Sequence, residues 1–462
     1  MPFFTAATAV SLDTFPAMLI VPQRAGRAAR ARACAPLRVP AVFLLFWLVL
    51  TIAFPVRAHA QMTVEVTGIG SQQIPIAVAA FHSDEPSQED VAAIIRADLT
   101  RSGLFHIVDT GAEAIDEAAR LDLAQWKGRG ADAIAIGSAV RLANGHTEFR
   151  YRLYDSAKGA QVDGVAFASV GNDQRQIAHR VADRIYEALT GFRGVFSTRI
   201  AYVVRYAPTH YELQVADADG ANPQTALKSR ESIISPTWSP DGGMLAYVSF
   251  ESRRAAVWVH NLASGERHVV ANYPGSNSAP AFSPDGRTLA VVLTRDGNSE
   301  IYLVGTDGSN PRRLTHDPSI DTEPVFSPDG AWIYFTSDRS GGPQVYRMPA
   351  AGGEAQRITF HGDYNISPRV SADGKTLLYV SRRNDLFQVE ALDLASAGET
   401  TITDTVKDES PSFAPNGRLV LYATEVGGRG ILALASIDGR ARARLSGPNG
   451  DVREPAWGPF SR

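Results

Sequence analysis

Short apolar runs alternate with proline- and glycine-rich turns through the second half of the chain, and the alternation repeats. Ser-Pro-Asp-Gly or a close variant marks each repeat, at residues 239–242, 283–286, 327–330, 371–374 and 414–417. A proline stands ahead of each motif and once more near the end, at Pro236, Pro280, Pro324, Pro368, Pro411 and Pro455. These prolines are 43 or 44 residues apart, and a period in the low forties is typical of β-propeller blades.

Each repeat predicts four strands. A short first strand around the proline leads into the Pro-Asp-Gly turn, in which proline fixes φ and glycine accepts a positive φ. An apolar second strand, an alternating third and a shorter fourth follow, as at residues 289–293, 301–304 and 312–315. A helical interpretation fails, because Val, Ile and Tyr dominate the runs and Gly and Pro recur every few residues.

The number of repeats predicts a closed ring. There are six first strands, but the last one, around Pro455, has no outer strands after it. Three candidates for those strands lie upstream, at residues 199–204, 211–215 and 223–227. Pairing them with the last strand would close the circle and leave no open sheet edge. We therefore predict a six-bladed β-propeller over residues 198–462, closed by its C-terminal strand.

Residues 61–195 have a mixed pattern. Apolar runs at 74–81, 104–108, 130–137 and 148–154 indicate strands, whereas 88–102 and 174–189 carry apolar residues one helical turn apart. Gly191 and Gly194 mark a linker to the repeats. We predict an α+β N-terminal domain here, packed beside the propeller.

Residues 1–60 differ from the rest. They hold six Arg and one acid, followed by the apolar run 41–54 and the small-residue site ending at Ala60. This order is typical of a secretory signal peptide, and we predict Sec-type export with cleavage after Ala60. The alternative is a membrane anchor, but 14 residues span only about 21 Å as a helix, against a membrane core of about 30 Å.

Composition narrows the class of partner. The chain has 45 Lys+Arg and 49 Asp+Glu, and removing residues 1–60 leaves 39 and 48, a net charge near −9. That balance argues against a nucleic-acid partner. The single cysteine, Cys34, falls within the predicted signal region, which excludes a disulfide framework and a Cys-based zinc site.

The sequence contains no recognisable catalytic constellation. There is neither a G-x-S-x-G nor an H-E-x-x-H motif, and the histidines are never four residues apart. We therefore predict no catalytic residue, cofactor or metal site, and we expect loop or surface positions for His260, His268, His316 and His361. The repeated aspartates should cap turns rather than bind calcium, and the repeated aromatic residues should pack between blades.

The candidate binding surface comprises the segments before each first strand. Blade geometry places them as loops on one face, around the central channel. They carry Asp321, Glu323, Asp408, Glu409 and Glu454, and the loops between second and third strands add Arg253, Arg254, Arg295, Arg339, Arg382 and Arg383. A mouth of mixed charge suits a protein or peptide partner.

This organisation resembles the TolB family of the Tol-Pal envelope system. The most specific segments are residues 239–252, 322–324, 336–346 and 455–459, and the likeness covers residues 61–462. The resemblance implies a non-enzymatic periplasmic scaffold. Such a protein would bind the peptidoglycan-associated lipoprotein Pal through the propeller mouth and TolA through its mature N-terminus, supporting outer-membrane integrity and cell division.

The resemblance also assigns residues to these partners. Thr322 and Glu323, preceded by Asp321, fall in the family's partner-facing Thr-Glu-Pro segment, and Ser276 and Asn277 form the corresponding loop of the preceding blade. The TolA-binding segment would begin at residues 61–63, Gln61, Met62 and Thr63, although this Gln-Met-Thr start departs from the family pattern. We expect a monomer that reaches membranes only through its partners.

Two other functions remain open from sequence. A propeller enzyme, either a hydrolase or a lyase, would use the channel and would need clustered histidines or metal-binding carboxylates there. A peptidase gate would need a hydrolase domain, and the sequence contains no recognisable one.

Overall fold

The structure is a computed structural model that describes residues 73–83, 89–111, 114–169, 173–445 and 447–461. The predicted signal peptide, its cleavage site at Ala60, and the predicted TolA-binding residues Gln61, Met62 and Thr63 lie outside the described residues.

The described N-terminal domain is a mixed sheet between helices. Its helices are α1 (Val91–Arg101), α2 (Leu123–Gly128) and α3 (Gln174–Thr190). Its strands are β1 (Ile74–Val78), β2 (His82–Ser83), β3 (Phe105–Val108), β4 (Ala133–Arg141), β5 (Thr147–Asp155) and β6 (Ala160–Ser169). The order is β3-β1-β4-β5-β6, with β2 also on β4; β1 runs parallel to β3 and β4, and the β4-β5-β6 pairs are antiparallel.

Local signals explain where the helices begin and end. The Asp90 side chain accepts a hydrogen bond from the Ala93 amide at 2.9 Å, which caps the start of α1. Helix α3 ends at Gly191, whose φ of 77° suits glycine. Helices α1 and α3 bury Leu99 and Ile185 against one sheet face, and α2 buries Trp126 against the other. The predicted α+β character is confirmed.

From Arg199 onward the described strands form six antiparallel sheets of four. Blade 1 has outer strands β7 (Arg199–Ala207), β8 (His210–Asp217) and β9 (Gln224–Ser229). Blade 2 comprises β10 (Ile233–Trp238), β11 (Met244–Ser249), β12 (Ala256–Asn261) and β13 (Arg267–Ala271). Blade 3 comprises β14 (Asn277–Phe282), β15 (Thr288–Leu293), β16 (Glu300–Gly305) and β17 (Arg312–Arg313).

The remaining blades repeat this order. Blade 4 comprises β18 (Asp321–Phe326), β19 (Trp332–Ser337), β20 (Gln344–Pro349) and β21 (Gln356–Arg357). Blade 5 comprises β22 (Asn365–Val370), β23 (Thr376–Arg383), β24 (Leu386–Asp393) and β25 (Glu399–Thr401). Blade 6 comprises β26 (Glu409–Phe413), β27 (Leu419–Val426), β28 (Arg429–Ser436) and β29 (Arg442–Arg444). The inner strand of blade 1 is β30 (Asp451–Trp457).

The ring closes as the repeat count predicts. Strand β30 pairs antiparallel with β7, placing Trp457 opposite Ile200, and each inner strand contacts the inner strands of both neighbouring blades. The Trp457 indole donates to Thr198 Oγ1 at 2.8 Å, and the Trp238 indole of blade 2 donates to the Ala456 carbonyl at 3.0 Å. The repeated tryptophans therefore pack between blades while their N–H groups are satisfied.

The Pro-Asp-Gly turns are held by their own side chains. In blade 2, Asp241 Oδ1 accepts hydrogen bonds from the Ser239 hydroxyl at 2.6 Å and the Gly243 amide at 3.0 Å. The same pair forms in blade 3, where the Ser283 hydroxyl holds the pKa of Asp285 below its ordinary value. The prediction that these aspartates cap turns is confirmed.

The two ends of the propeller differ in what they contact. We call the end where the inner strands begin the mouth face, and the end with the Pro-Asp-Gly turns the base. The N-terminal domain contacts the base: Gly103 lies against Ala441 so closely that an added Cβ would clash, and Asn416 Nδ2 donates to the Arg193 carbonyl at 2.9 Å. In the linker, Asp183 of α3 accepts hydrogen bonds from the Phe196 and Ser197 amides, which fixes the approach to blade 1.

One prediction about histidines is wrong. His260 is buried in β12, with its ring 6.2 Å from that of Tyr247, because neighbouring blades cover both faces of this strand. His268, His316 and His361 are exposed, as expected.

Within the described ranges, no helix combines the length and apolar character needed to cross a membrane.

The closing contacts can be tested by replacing Trp457 with alanine. Removing this buried indole should lower the free energy of unfolding by about 3–5 kcal/mol, because it empties the space between β30 and its neighbours. Urea unfolding measures the change. The control, Phe360→Ala on an exposed loop, should change stability by only about 0.5 kcal/mol. A loss no larger than the control's would contradict the role of this residue in closure.

Candidate functional site

The mouth of the channel is shaped by one irregularity that recurs in all six inner strands. The register of each strand shifts just before its proline. There the residue preceding proline has a φ of 47–57°; these residues are Ser235, Ala279, Glu323, Ser367, Ser410 and Glu454. A left-handed φ is uncommon outside glycine and, with the extra residue, makes a β-bulge that bends the strand. The segments predicted as loops are thus the first residues of the inner strands.

Two of these bulge residues are glutamates that join blades. The Glu323 carboxylate accepts hydrogen bonds from the Ser367 amide and hydroxyl of blade 5, both at 2.8 Å. Glu454 Oε2 accepts from the Ser235 amide of blade 2 and the Ser410 hydroxyl of blade 6, both at 3.3 Å. Both carboxylates face the channel and hold adjacent blades together.

Three predicted binding residues are buried. Asp321 is fully buried, and both its oxygens accept hydrogen bonds from Arg339 Nη2 at 2.8 Å. Thr322, beside it in β18, is also buried. In blade 3, Asn277 accepts from the Tyr273 amide at 2.8 Å and donates to the Ala255 carbonyl at 3.1 Å. These side chains shape the loops above them and are not available to a partner in this conformation.

Ser276 and Glu323 are the predicted binding residues that remain accessible at the mouth. Ser276 is exposed, with its amide bound to Thr294 Oγ1 at 2.7 Å, and Glu323 is half-buried in the channel wall. Of the predicted binding residues that the structure describes, Ser276 in a loop and Glu323 in the channel wall are therefore the ones that a partner could contact.

Sequence reasoning missed a class of loop anchors three residues before the proline. In four blades that position holds a buried Asn or Asp: Asn277, Asp321, Asn365 and Asp408. Their short polar side chains bind the loops around them, as Asn365 Nδ2 does with the His361 carbonyl at 2.7 Å. The sequence does contain a signal for these anchors: Asn or Asp recurs at this repeat position in four blades. Ile233 and Val452 occupy the position in the other two.

In the part of the chain that the structure describes, acidic groups of the channel wall lie near the guanidinium of Arg369. Burial and the nearby charge of Glu409 raise the pKa of Glu454 to about 7. Arg369, one residue after the proline of blade 5, is partly exposed; burial lowers its pKa, and the charges of Glu323 and Glu454 oppose that shift. The residues that follow the proline in blades 2, 3 and 4 are Thr237, Ala281 and Val325, so Arg369 stands out as the long charged side chain.

A second polar cluster, unforeseen from sequence, joins the N-terminal domain to the base. His179 of α3 lies 2.6 Å from Asp98 of α1, measured from Nδ1 to Oδ2, and Arg101 Nη1 donates to Asp98 Oδ1 at 2.8 Å. Across the interface, Arg175 of α3 pairs with Asp219 in the turn after β8. Asp98, His179 and Asp219 are all buried.

The charges of this cluster explain its ionisation. Burial lowers the pKa of His179, but attraction to Asp98 and Asp219 outweighs burial and leaves the pKa raised. Burial likewise raises the pKa of Asp219, and attraction to Arg101, His179 and Arg175 reverses the shift. The Asp219 carboxylate is thus held ionised beside cations at the domain interface.

The cluster also contains the one group of potential metal ligands found in the described residues. Ligand atoms of His179, Asp217 and Asp219 lie within 4.8 Å of one another. However, Arg175 pairs with Asp219 and places its Nε 3.4 Å from Asp217 Oδ2. A guanidinium therefore fills the place of a cation, and the group lies at the base rather than in the channel. The donor set functions as an ion-pair cluster.

A closed six-bladed propeller with a polar mouth and an α/β domain at its base defines a class of two-domain propeller proteins. A family model of the TolB amino-terminal domain matches residues 62–162, and a model of the TolB beta propeller domain matches residues 186–461. The chain belongs to the TolB family.

Comparison with individual relatives supports the family assignment. The Tol-Pal system protein TolB of Dechloromonas aromatica is 65% identical over 414 residues, covering 90% of this chain and 97% of its own. That of Bordetella avium is 53% identical over 434 residues, covering 94% and 98%. The crystal structure of TolB from Acinetobacter baumannii matches with a TM-score of 0.81 at 39% identity, covering 87% of this chain and all of its own. The resemblance inferred from the repeats is confirmed.

The raised pKa of Glu454 predicts a pH-dependent effect of Glu454→Gln. The carboxyl stabilises the fold below its ordinary pKa of 4.5 and loses that contribution as pH rises through about 7. The amide should therefore stabilise the protein at pH 8.5 by about 1–2 kcal/mol more than at pH 5, allowing for solvent screening. Urea unfolding at both pH values, with Glu354→Gln as an exposed control, measures this. An equal effect at both pH values would contradict it.

The ion-pair cluster predicts that Asp219→Asn weakens the attachment of the N-terminal domain. The substitution removes the carboxylate shared by the buried Arg101 and the partly exposed Arg175, which should cost about 2–3 kcal/mol of stability because each guanidinium keeps one other acidic partner. Protease cleavage in the linker, residues 191–198, should accelerate as well. Asp438→Asn, which removes an exposed partner of Arg440, should cost at most about 1 kcal/mol. Similar results for both variants would show that the cluster does not hold the domains together.

Proposed function

We propose that this protein is a non-enzymatic binding scaffold of the Tol-Pal system in the periplasm. Membership of the TolB family supports the proposal, as does the name Tol-Pal system protein TolB carried by its relatives. It would be exported with cleavage after Ala60, bind Pal at the mouth face, and bind TolA through the segment that begins at Gln61. In these roles it would support outer-membrane integrity and cell division.

One observation carries the assignment of the mouth face. The bulges of all six inner strands lie at one end of the channel, where Glu323 joins blades 4 and 5 and Glu454 joins blade 1 to blades 2 and 6 in a polar rim. Because the polar groups of this rim are already hydrogen-bonded, the rim is preorganised, and binding a partner costs little conformational entropy there. The N-terminal domain contacts the opposite end, at Ala441 and Asn416.

The predicted binding residues divide into two roles in this proposal. Ser276 and Glu323 would contact Pal directly, because they are accessible at the rim. Asn277, Asp321 and Thr322 would act indirectly, because their buried side chains set the shape of the loops. The distinction predicts that a change at Ser276 alters binding with little effect on stability, whereas a change at Glu323 alters both, because its carboxylate also joins blades 4 and 5.

A channel-site enzyme is the weaker alternative. In the described residues the group of potential metal ligands lies at the base, and Glu323, Glu454 and Arg369 of the channel wall bond to hydroxyl groups or to the backbone. A hydrolase or lyase would need groups free to meet a substrate.

Glu323→Lys should weaken Pal binding at least tenfold, because it reverses the charge of a rim residue and breaks the bond to Ser367. Isothermal titration with the periplasmic domain of Pal from the same organism measures the affinity. If the first variant folds poorly, Ser276→Trp replaces it, because a bulky side chain at this exposed position should obstruct the partner. Arg440→Glu, in a turn at the base, should have no effect.

Titration with the C-terminal domain of TolA provides an internal control. Glu323→Lys should leave that affinity unchanged, since TolA is assigned to the segment starting at Gln61. Pal affinities equal to wild type in both rim variants would remove the mouth face as the Pal site.

A further inference from the structure

Exposed hydrophobic side chains are unevenly distributed around the mouth face. Five large ones lie on its loops and hairpins, each 37–68% exposed: Phe360, Leu386, Val406, Val426 and Tyr206. They belong to the consecutive blades 5, 6 and 1, apart from Phe360, which lies in the connection from blade 4 to blade 5. In the described chain, the mouth loops of blades 2, 3 and 4 expose no hydrophobic side chain of this size to that extent. We call these five residues the apolar arc.

The segments that carry the apolar arc in blades 5 and 6 are tied together. The Arg382 amide donates to the Tyr364 carbonyl at 2.9 Å, and the Phe387 amide donates to the Val406 carbonyl at 3.0 Å. The ion pair of Lys407 with Glu425, at 2.8 Å, joins the loop of Val406 to the strand of Val426. The arc is therefore a supported surface, and exposed apolar surface of this kind marks interaction sites.

The opposite side of the mouth presents guanidinium groups. Arg253 and Arg254 lie in the hairpin between β11 and β12, and Arg295 lies in the hairpin between β15 and β16. We call these three residues the arginine arc. Within the described residues, Arg253 and Arg254 make no ion pair, and the shortest one of Arg295 is 3.7 Å, to its neighbour Asp296.

The acidic residues near the arginine arc are bound elsewhere. Glu251 forms an ion pair with Arg267 on the outer strand at 2.7 Å, and Asp296 accepts the hydroxyl of Tyr302. Arg295 itself stacks on Tyr273, with its guanidinium carbon 4.9 Å from the ring centroid. The positive charges are therefore left facing the mouth, and stacking holds Arg295 in place.

We propose that the partner docks on the mouth face in a single rotational setting, with an apolar patch on the apolar arc and carboxylates on the arginine arc. The inference rests on the proposed binding at this face and adds the chemistry of the contact. The partner is a folded domain whose binding surface carries exposed hydrophobic residues on one side and Asp or Glu on the other.

The near-sixfold symmetry of the ring explains why a partner would need two chemically different patches to bind in one orientation. Six similar blades around one axis offer a partner six nearly equivalent rotations, and contacts confined to the repeated rim could not choose among them. Apolar and basic patches on opposite sides break that equivalence, because every other rotation places part of the partner's apolar or acidic surface on blades that lack its match.

Affinity and its salt dependence distinguish the two arcs. In titrations with the Pal periplasmic domain, Leu386→Asp should weaken binding at least tenfold at both 50 and about 500 mM salt. The double variant Arg254→Glu/Arg295→Glu should weaken binding at least tenfold at low salt, with a smaller loss at high salt, because screening acts on exposed charges. If Leu386→Asp folds poorly, Phe360→Ser replaces it.

Matched controls lie away from the mouth. Val269→Asp changes an exposed apolar residue on outer strand β13, and Arg440→Glu changes an exposed cation at the base; both should bind within twofold of wild type. Wild-type protein that fails to bind Pal would contradict the proposed function itself. Normal wild-type binding with arc variants that match the controls would overturn the inference alone.

Photocross-linking tests the single orientation. A photoreactive residue at position 386 should label one region of the Pal domain, and one at position 295 should label a different, acidic region. Labelling of the same set of Pal residues from both positions would mean that the partner rotates freely on the mouth, which is incompatible with the proposal.

Discussion

The antiparallel pairing of β30 with β7 is the interaction on which the propeller depends. It supplies blade 1 with its inner strand and removes the last open edge of the ring. The same seven-residue strand carries Trp457, which fills the core beside blade 6, and Glu454, which bonds to both neighbouring blades. Closure of the ring by sheet pairing, apolar packing beside blade 6 and part of the polar rim therefore all depend on this one segment.

The charged and polar groups near the channel bond within the propeller, so they stabilise the fold whether or not a partner is bound. Asp321 holds Arg339, and Glu323 holds the Ser367 bulge. The same use of buried charge recurs at the base, where Asp219 meets Arg175 across the domain interface. As a result, the groups left for recognition lie further out, on the hairpins and loops that surround the rim.

The architecture was largely predictable from sequence, because the repeat has a fixed period and each turn carries its own signature. The spacing of the prolines determines the number of blades, and the isolated final motif at Pro455 reveals how the ring closes. The orientation of individual polar residues was not predictable in the same way. Asp321 and Glu323 are two residues apart in one motif, yet a bulge between the strand's regular pairs buries one and leaves the other half-exposed.

Contacts between distant segments could not be predicted from the sequence for another reason. Asp98, His179 and Asp219 show no shared pattern in the sequence: the packing of α1 against α3 brings the first two together, and only the docking of the two domains adds Asp219. The wrongly predicted His260 is a smaller instance, in which a polar residue lies in a strand that neighbouring blades cover on both faces. Periodicity predicts elements well, but it does not state which face of an element meets which neighbour.

The closure of the ring also sets an order of events in folding. Residues 201 and 456 are paired, so a chain delivered N-terminus first presents β7 long before β30 arrives. During that interval blade 1 has an unpaired edge, and long-range pairing is intrinsically slow. Mispairing with another chain competes in this window, so the yield of folded protein depends on how quickly the C-terminal strand arrives as well as on the stability of the finished ring.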